Sequence, residues 1–264
     1  MTARAQGAWM SLLFPALAVS GLLFVLPLAG VIQASLMGGG AHLARFFGDG
    51  YYLGALGVTL ATAVLVTGLA AVVSYPAAIA FWEASPGARA LMTVMLLAPF
   101  YASVTVKVFG WMALLPTWLR ESYWAIVIVD VHRSIPFMVL LLAAAMSRID
   151  TDVMEAARVC GASPLRSFWR VVVPLTLPAA ASAGILVFSL TSASFVVPLL
   201  VGGPSGSRFL PVLMYQQFTV AQNWGFGSAI ALILLVTATT AMLAANRLVR
   251  RSAVATLTTE AHDA

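Results

Sequence analysis

The chain has 264 residues, of which 61% are hydrophobic and 9% charged. Soluble domains carry about 25% charged residues, so this composition excludes a water-soluble globular protein and turns most of the surface toward lipid. The formal net charge is +5, and the single cysteine, Cys160, excludes an intrachain disulfide and a cysteine-rich metal site.

Crossing a hydrocarbon core takes about 20 apolar residues of helix. Six stretches qualify, at about 9–36, 53–82, 91–115, 122–146, 178–202 and 226–248. Backbone groups in lipid must be paired within their own segment, which predicts helices. The run Ala229–Val236 is apolar throughout, where a barrel strand would alternate. The expected fold is an all-α membrane protein, one multi-pass domain over residues 1–264 with six transmembrane helices.

Span one follows Arg4 and is longer than a signal-peptide core of about 7–15 residues, so it reads as a retained helix. With both termini cytoplasmic, the inner side holds Arg4, Arg89, Arg148, Arg158, Arg166, Arg170, Arg247, Arg250 and Arg251. The outer side then holds Arg45, Arg120 and Arg208. This bias favours cytoplasmic N and C termini and explains the basic charge without nucleic acid. Trp9, Trp82, Trp118, Trp124 and Trp224 fall at span ends, where indole prefers the interface.

Spans three and four carry Lys107, Asp130 and Arg133. Charged groups in a membrane face a cavity or pair with one another. On straight helices, Lys107 lies about 24 Å from the inner end of its span and Asp130 about 12 Å from the outer end of its own. Both then belong to the outer half. A Lys107–Asp130 pair is possible, as is Asp130–Arg133 at i, i+3. Either fixes helix packing; alternatively Asp130 lines a path and meets a cationic solute. One acid against two bases leaves these spans net basic. Pro76, Pro99, Pro136 and Pro198 predict kinks, as fixed bends or as hinges. His42, His132 and His262 are scattered along the chain, so a metal site is not expected.

The loop between spans four and five, about 147–177, is the conspicuous inner segment. Asp152 three residues before Glu155 suggests a capping box. Met154, Ala157 and Cys160, with Val153, form a short apolar face, and Gly161 suits the end of the helix. Ser163-Pro164 restarts a helix as cap and first residue. Phe168, Trp169 and Val172 give this second piece an apolar side, and Pro174 and Pro178 are expected to end it. Such a pair of short helices either packs on its own bundle or docks a soluble partner. At the outer end of span five, Phe195 and the Gly202-Gly203 turn are candidates for an outer gate.

The order Glu155-Ala156-Ala157, Gly161, then Val171-Val172-Val173-Pro174 resembles the EAA motif of inner-membrane permeases of binding-protein-dependent ABC importers. The family pattern places Ile and Leu where this chain has Val171 and Val173. Thr105–Trp111, Ile135–Met138, Gly161–Pro164 and Phe195–Pro198 with Gly202–Pro204 are similar to the spermidine/putrescine type, more to the first permease of that pair. The resemblance implies a bacterial inner-membrane subunit working with two ATPase subunits, a second and non-identical permease, and a periplasmic solute-binding protein. It implies a cytoplasmic coupling helix, with Glu155, Ala156, Ala157, Arg158, Gly161, Ser163 and Pro164 as coupling residues. A polyamine is the solute it implies first; related permeases carry ferric ion, phosphonates, thiamine or opine-like solutes.

The chain is expected to be no enzyme and to hold no cofactor, with ATP and Mg on the partner ATPase. A P-loop needs a lysine directly after its glycines. The one lysine here, Lys107, sits between Val106 and Val108 in a membrane span. A nucleophile elbow and H-E-x-x-H, the signs of an intramembrane enzyme, do not occur. A stand-alone transporter would show repeats and broken helices at matching positions.

Overall fold

The computed structural model describes the backbone of residues 3–260, and the side chains among them other than 3–14, 16, 151 and 248–260. The side chains of Arg4, Trp9, Arg250 and Arg251, and the whole of His262, lie outside the described residues. In chain order the helices are α1 (Ala3–Leu36), α2 (Ala41–Gly48), α3 (Gly50–Glu83), α4 (Pro86–Tyr101), α5 (Val104–Leu114), α6 (Tyr123–Met146), α7 (Thr151–Val159) and α8 (Pro164–Ser167). A π-helical turn (Phe168–Val172) follows, then α9 (Val173–Ser192), α10 (Val196–Val201), α11 (Gly203–Gly206), α12 (Leu210–Thr219) and α13 (Trp224–Glu260).

Five helical stretches are long and apolar enough to span a membrane, and α4 with α5 makes a sixth span bent by 104°. The centre is α3, α6 and α9. Their shared core holds Val66, Ala70, Val139, Leu142, Met146, Ala183 and Val187, all buried. Small residues bring the backbones together, as packing in lipid requires. A Cβ on Gly184 of α9 would stand 3.3 Å from Thr67 Cγ2 of α3. Hydroxyls tie the same helices: Thr62 and Tyr123 are 3.0 Å apart and Tyr75 and Thr176 3.2 Å apart. The apolar side chains Leu22, Leu23 and Phe24 of α1 remain exposed, as expected of a helix facing lipid.

Three predicted boundaries change. Span three is two helices, because Pro99 weakens the last turn of α4 and Ser103 starts a new helix. The Ser103 hydroxyl accepts the Thr105 N–H at 3.2 Å. Ala102 and Ser103 are extended and turn the chain. Span five begins at Pro164 and ends at Ser192. Pro174 and Pro178 do not stop it. Proline lacks a donor and crowds the carbonyl four residues back. The π-turn widens the ladder ahead of Pro174, with Val173 N–H reaching back five residues to Phe168 O. The stretch after Ser192, expected to continue to 202 and then loop out, folds instead into α10, α11 and α12. Gly206 permits this: a Cβ there would overlap the Pro198 backbone.

Candidate functional site

Two places gather the sequence candidates. The first is the elbow formed by α7 and α8 at one end of the bundle. The cap of α7 is Asp150, two residues earlier than expected; its carboxylate accepts the Asp152 N–H at 3.1 Å. Both aspartates suit a cap, and Asp150 takes the role because it has the extended backbone of a capping residue. At the other end, Gly161 N–H bonds Arg158 O at 2.9 Å and Ala162 N–H bonds Ala157 O at 3.0 Å. These are the two bonds of a Schellman motif. Gly161 sits at φ +75°, where a Cβ is strained. Ser163 caps α8, accepting the Arg166 N–H at 3.4 Å, with Pro164 in the first turn.

The elbow has an inner and an outer side. Met154 and Phe168 pack on the central core, and Phe168 meets Tyr75 edge to face at 5.8 Å. Ala157 is half-buried, whereas Glu155, Ala156, Arg158, Gly161 and Pro164 are exposed and Ser163 likewise. The apolar face expected from Val153 through Cys160 is split. Cys160 is exposed, and Val159 beside it is 88% exposed. Met154 and Ala157 share the face that meets the bundle, whereas Val159 lies off that face and Cys160 is the C-cap beyond the last helical residue. A groove of about 620 Å³ runs between the elbow and the end of α3, lined by Trp82, Glu83, Met154, Arg158, Leu165 and Phe168 among others.

The second place is a charged turn of α6. Asp130 is 1% exposed and Arg133 19%. Arg133 Nη2 lies 2.9 Å from Asp130 Oδ1, and Nε donates to the same oxygen at 3.1 Å. Arg133 Nη2 also donates to Leu190 O of α9 at 3.3 Å, and the Ser194 hydroxyl reaches Asp130 Oδ1 at 3.5 Å. The alternative Lys107–Asp130 pair is not formed. Lys107 Nζ donates instead to Pro99 O at 3.0 Å, across the break between α4 and α5. The bend explains this: on a straight helix Lys107 and Pro99 would stand about 12 Å apart along the axis, whereas the broken span folds the lysine back on that carbonyl. A charged lysine in a membrane span costs about 2.5–3.5 kcal/mol unless it faces water or a partner.

Lys107 and Arg133 line a common cavity of about 360 Å³, with Ser103, Val104, His132, Pro136 and Leu190. In the sequence His132 is one of three scattered histidines. It accepts the Trp111 indole N–H at 3.3 Å and takes its place in the wall. The i, i+2, i+3 spacing of Asp130, His132 and Arg133 is the signal that could have found it. The Thr59 hydroxyl, buried in α3, was also missed; it accepts the N–H of Leu210 at 2.9 Å and so caps α12 from another span. Phe195 lies in the break between α9 and α10 and stacks on Tyr215 at 5.3 Å.

The family described as the binding-protein-dependent transport system inner membrane component matches residues 80–254. The chain is 27% identical over 198 residues to the spermidine/putrescine transport system permease protein PotB of Haemophilus influenzae, covering 67% of this chain and 68% of that one. It is 28% identical over 206 residues to PotB of Escherichia coli K12, covering 71% and 74%. Among solved structures, a bacterial ABC transporter involved in the import of the acidic polysaccharide alginate superposes with a TM-score of 0.75 at 16% identity, over 94% of this chain and 96% of that one. The MetNI methionine ABC transporter superposes with a TM-score of 0.60 at 18% identity, over 75% and 94%. At these identities the likeness is one of fold.

Proposed function

This chain belongs to the family of inner-membrane components of binding-protein-dependent transport systems, and on that premise we propose that it is driven by separate ATPase subunits through the α7–α8 elbow. It is a permease, not an enzyme, and its relatives include spermidine/putrescine permeases. The proposed assembly has two ATPase subunits, a second and non-identical permease, and a solute-binding protein on the outer face. Both termini and the elbow face the cytoplasm. Glu155, Ala156, Arg158 and Gly161 make the contact, supported by Ala157, Ser163 and Pro164, which set its shape.

The observation that carries this reading is the outer side of the elbow. A capped, rigid bend presents small and charged side chains away from its own bundle, a surface that a soluble partner can approach closely. Glu155 offers an orientation-specific charged contact. Gly161 fixes the bend.

The test is co-purification of the solubilised chain with its ATPase, followed by ATPase and uptake assays in proteoliposomes. Wild type is expected to bring down the ATPase. Glu155→Lys and Gly161→Trp are expected to reach the membrane in normal amounts and abolish uptake. Uptake at the wild-type rate in both variants, or a membrane-inserted chain that binds no ATPase, overturns the reading.

A polyamine is the first solute to try, since it is named for both PotB relatives. A second reading is a different small solute of the same importer class. The two basic side chains lining the membrane cavity favour it.

A further inference from the structure

Resting on the permease reading, we propose that the cavity at the break between α4 and α5 binds an oxyanion group, so that the solute carries a carboxylate or phosphonate rather than only ammonium groups.

The lining of the cavity carries the charge pattern. It includes Lys107, His132 and Arg133 and, among the described residues, no carboxylate. The nearby acid is Asp130, which is buried behind Arg133 and occupied by it. Arg133 bonds Asp130 through Nε and Nη2, which leaves the two N–H donors of Nη1 unassigned among the described contacts. Lys107 has a carbonyl as its partner, which takes one of its three donors and neutralises no charge. The Arg133–Asp130 pair is the one salt bridge among the described residues, so the cavity keeps an uncompensated positive charge.

The backbone adds to it. α5 is 11 residues long, and its first residue, Val104, lines the cavity with its cap, Ser103. A helix carries about half a positive charge at this end. Two side-chain cations and a helix N-terminus thus converge on one space. At about 360 Å³ it falls within the range of small-molecule sites, about 300–1,000 Å³. A polyamine entering here meets repulsion from Lys107. An oxyanion meets two charged donors, of which the guanidinium suits two oxygens at once.

Holding the Pro99 carbonyl does not account for Lys107. A neutral donor would satisfy that oxygen equally well. The charge itself, kept within a membrane span, is what an anionic ligand uses.

Lys107 is the only lysine of the chain, which makes the site directly readable. The assembled permease–ATPase complex is treated with an amine-acetylating reagent, and acetylation of the Lys107 peptide is followed by mass spectrometry. Succinate, methylphosphonate and putrescine are compared at equal ionic strength. Succinate or methylphosphonate is expected to slow acetylation by about tenfold at about ten times its Kd, whereas putrescine leaves the rate unchanged. The two anions distinguish carboxylate from phosphonate. The Asp130→Asn/Arg133→Gln double variant, which removes a cation without stranding an acid, is expected to lose the protection in a complex that still assembles. Protection by putrescine equal to that by either anion overturns the proposal, and so does a rate that none of the three changes. Both results leave the ATPase co-purification, and the permease reading with it, intact.

Discussion

In the elbow, Glu155 and Arg158 stand in the open on a short helix whose shape comes from its own caps. In α6, Asp130 is enclosed, and it is held both by Arg133 of its own helix and from α9 onward, by Ser194 beyond that helix and by Leu190 O holding the guanidinium. The difference separates two kinds of importance. A side chain exposed on a locally determined surface can be exchanged without loss of fold, so its substitution tests a surface role separately from stability. A buried charge held from several directions supports the fold, and replacing it disturbs the bundle before any partner is consulted.

That contrast can be broken by substitution. Asp130→Leu strands Arg133 and is expected to lower stability by about 3–5 kcal/mol, the cost of removing one partner of a buried pair. A thermal midpoint in detergent equal to wild type would show that the pair contributes little to the fold. Thr59→Val keeps the volume but leaves the Leu210 N–H unpaired, for an expected loss of about 1–3 kcal/mol. The same melting experiment reads it, and limited proteolysis within 210–219 should increase. Asp150→Ala removes the cap of α7 and is expected to cost about 1 kcal/mol. This loss is local, so the global midpoint should barely move while hydrogen exchange across 151–159 rises. A bundle-wide loss of stability from Asp150→Ala would erase the distinction between the two regions.

The same contrast explains what the sequence makes legible. The spans follow from hydropathy, and the elbow follows from caps and a glycine within a few residues of one another. Asp150 and Asp152 compete for the same role over that short range, so the error there is two residues. The break in span three is different. Pro99 marks a weak point in the sequence, but the bend of 104° is made at Ala102 and Ser103 and bridged by Lys107 reaching back to Pro99 O. The folding of α10 to α12 is harder still. It depends on Gly206 lying against the Pro198 backbone and on Thr59, 151 residues from Leu210 in the chain. The charged turn was half legible: i, i+3 spacing allows Asp130–Arg133, but only packing decides against Lys107.

The π-turn leaves Pro164–Ser192 as a single apolar stretch of 29 residues, about 44 Å long at helical rise. Its near end is the second arm of the elbow, and close to its far end Leu190 O holds Arg133. The elbow's second arm is therefore continuous with the segment that reaches the charged turn of α6. At its tip stands the guanidinium that walls the charged chamber, so the exposed knuckle and the enclosed pair are two ends of one backbone.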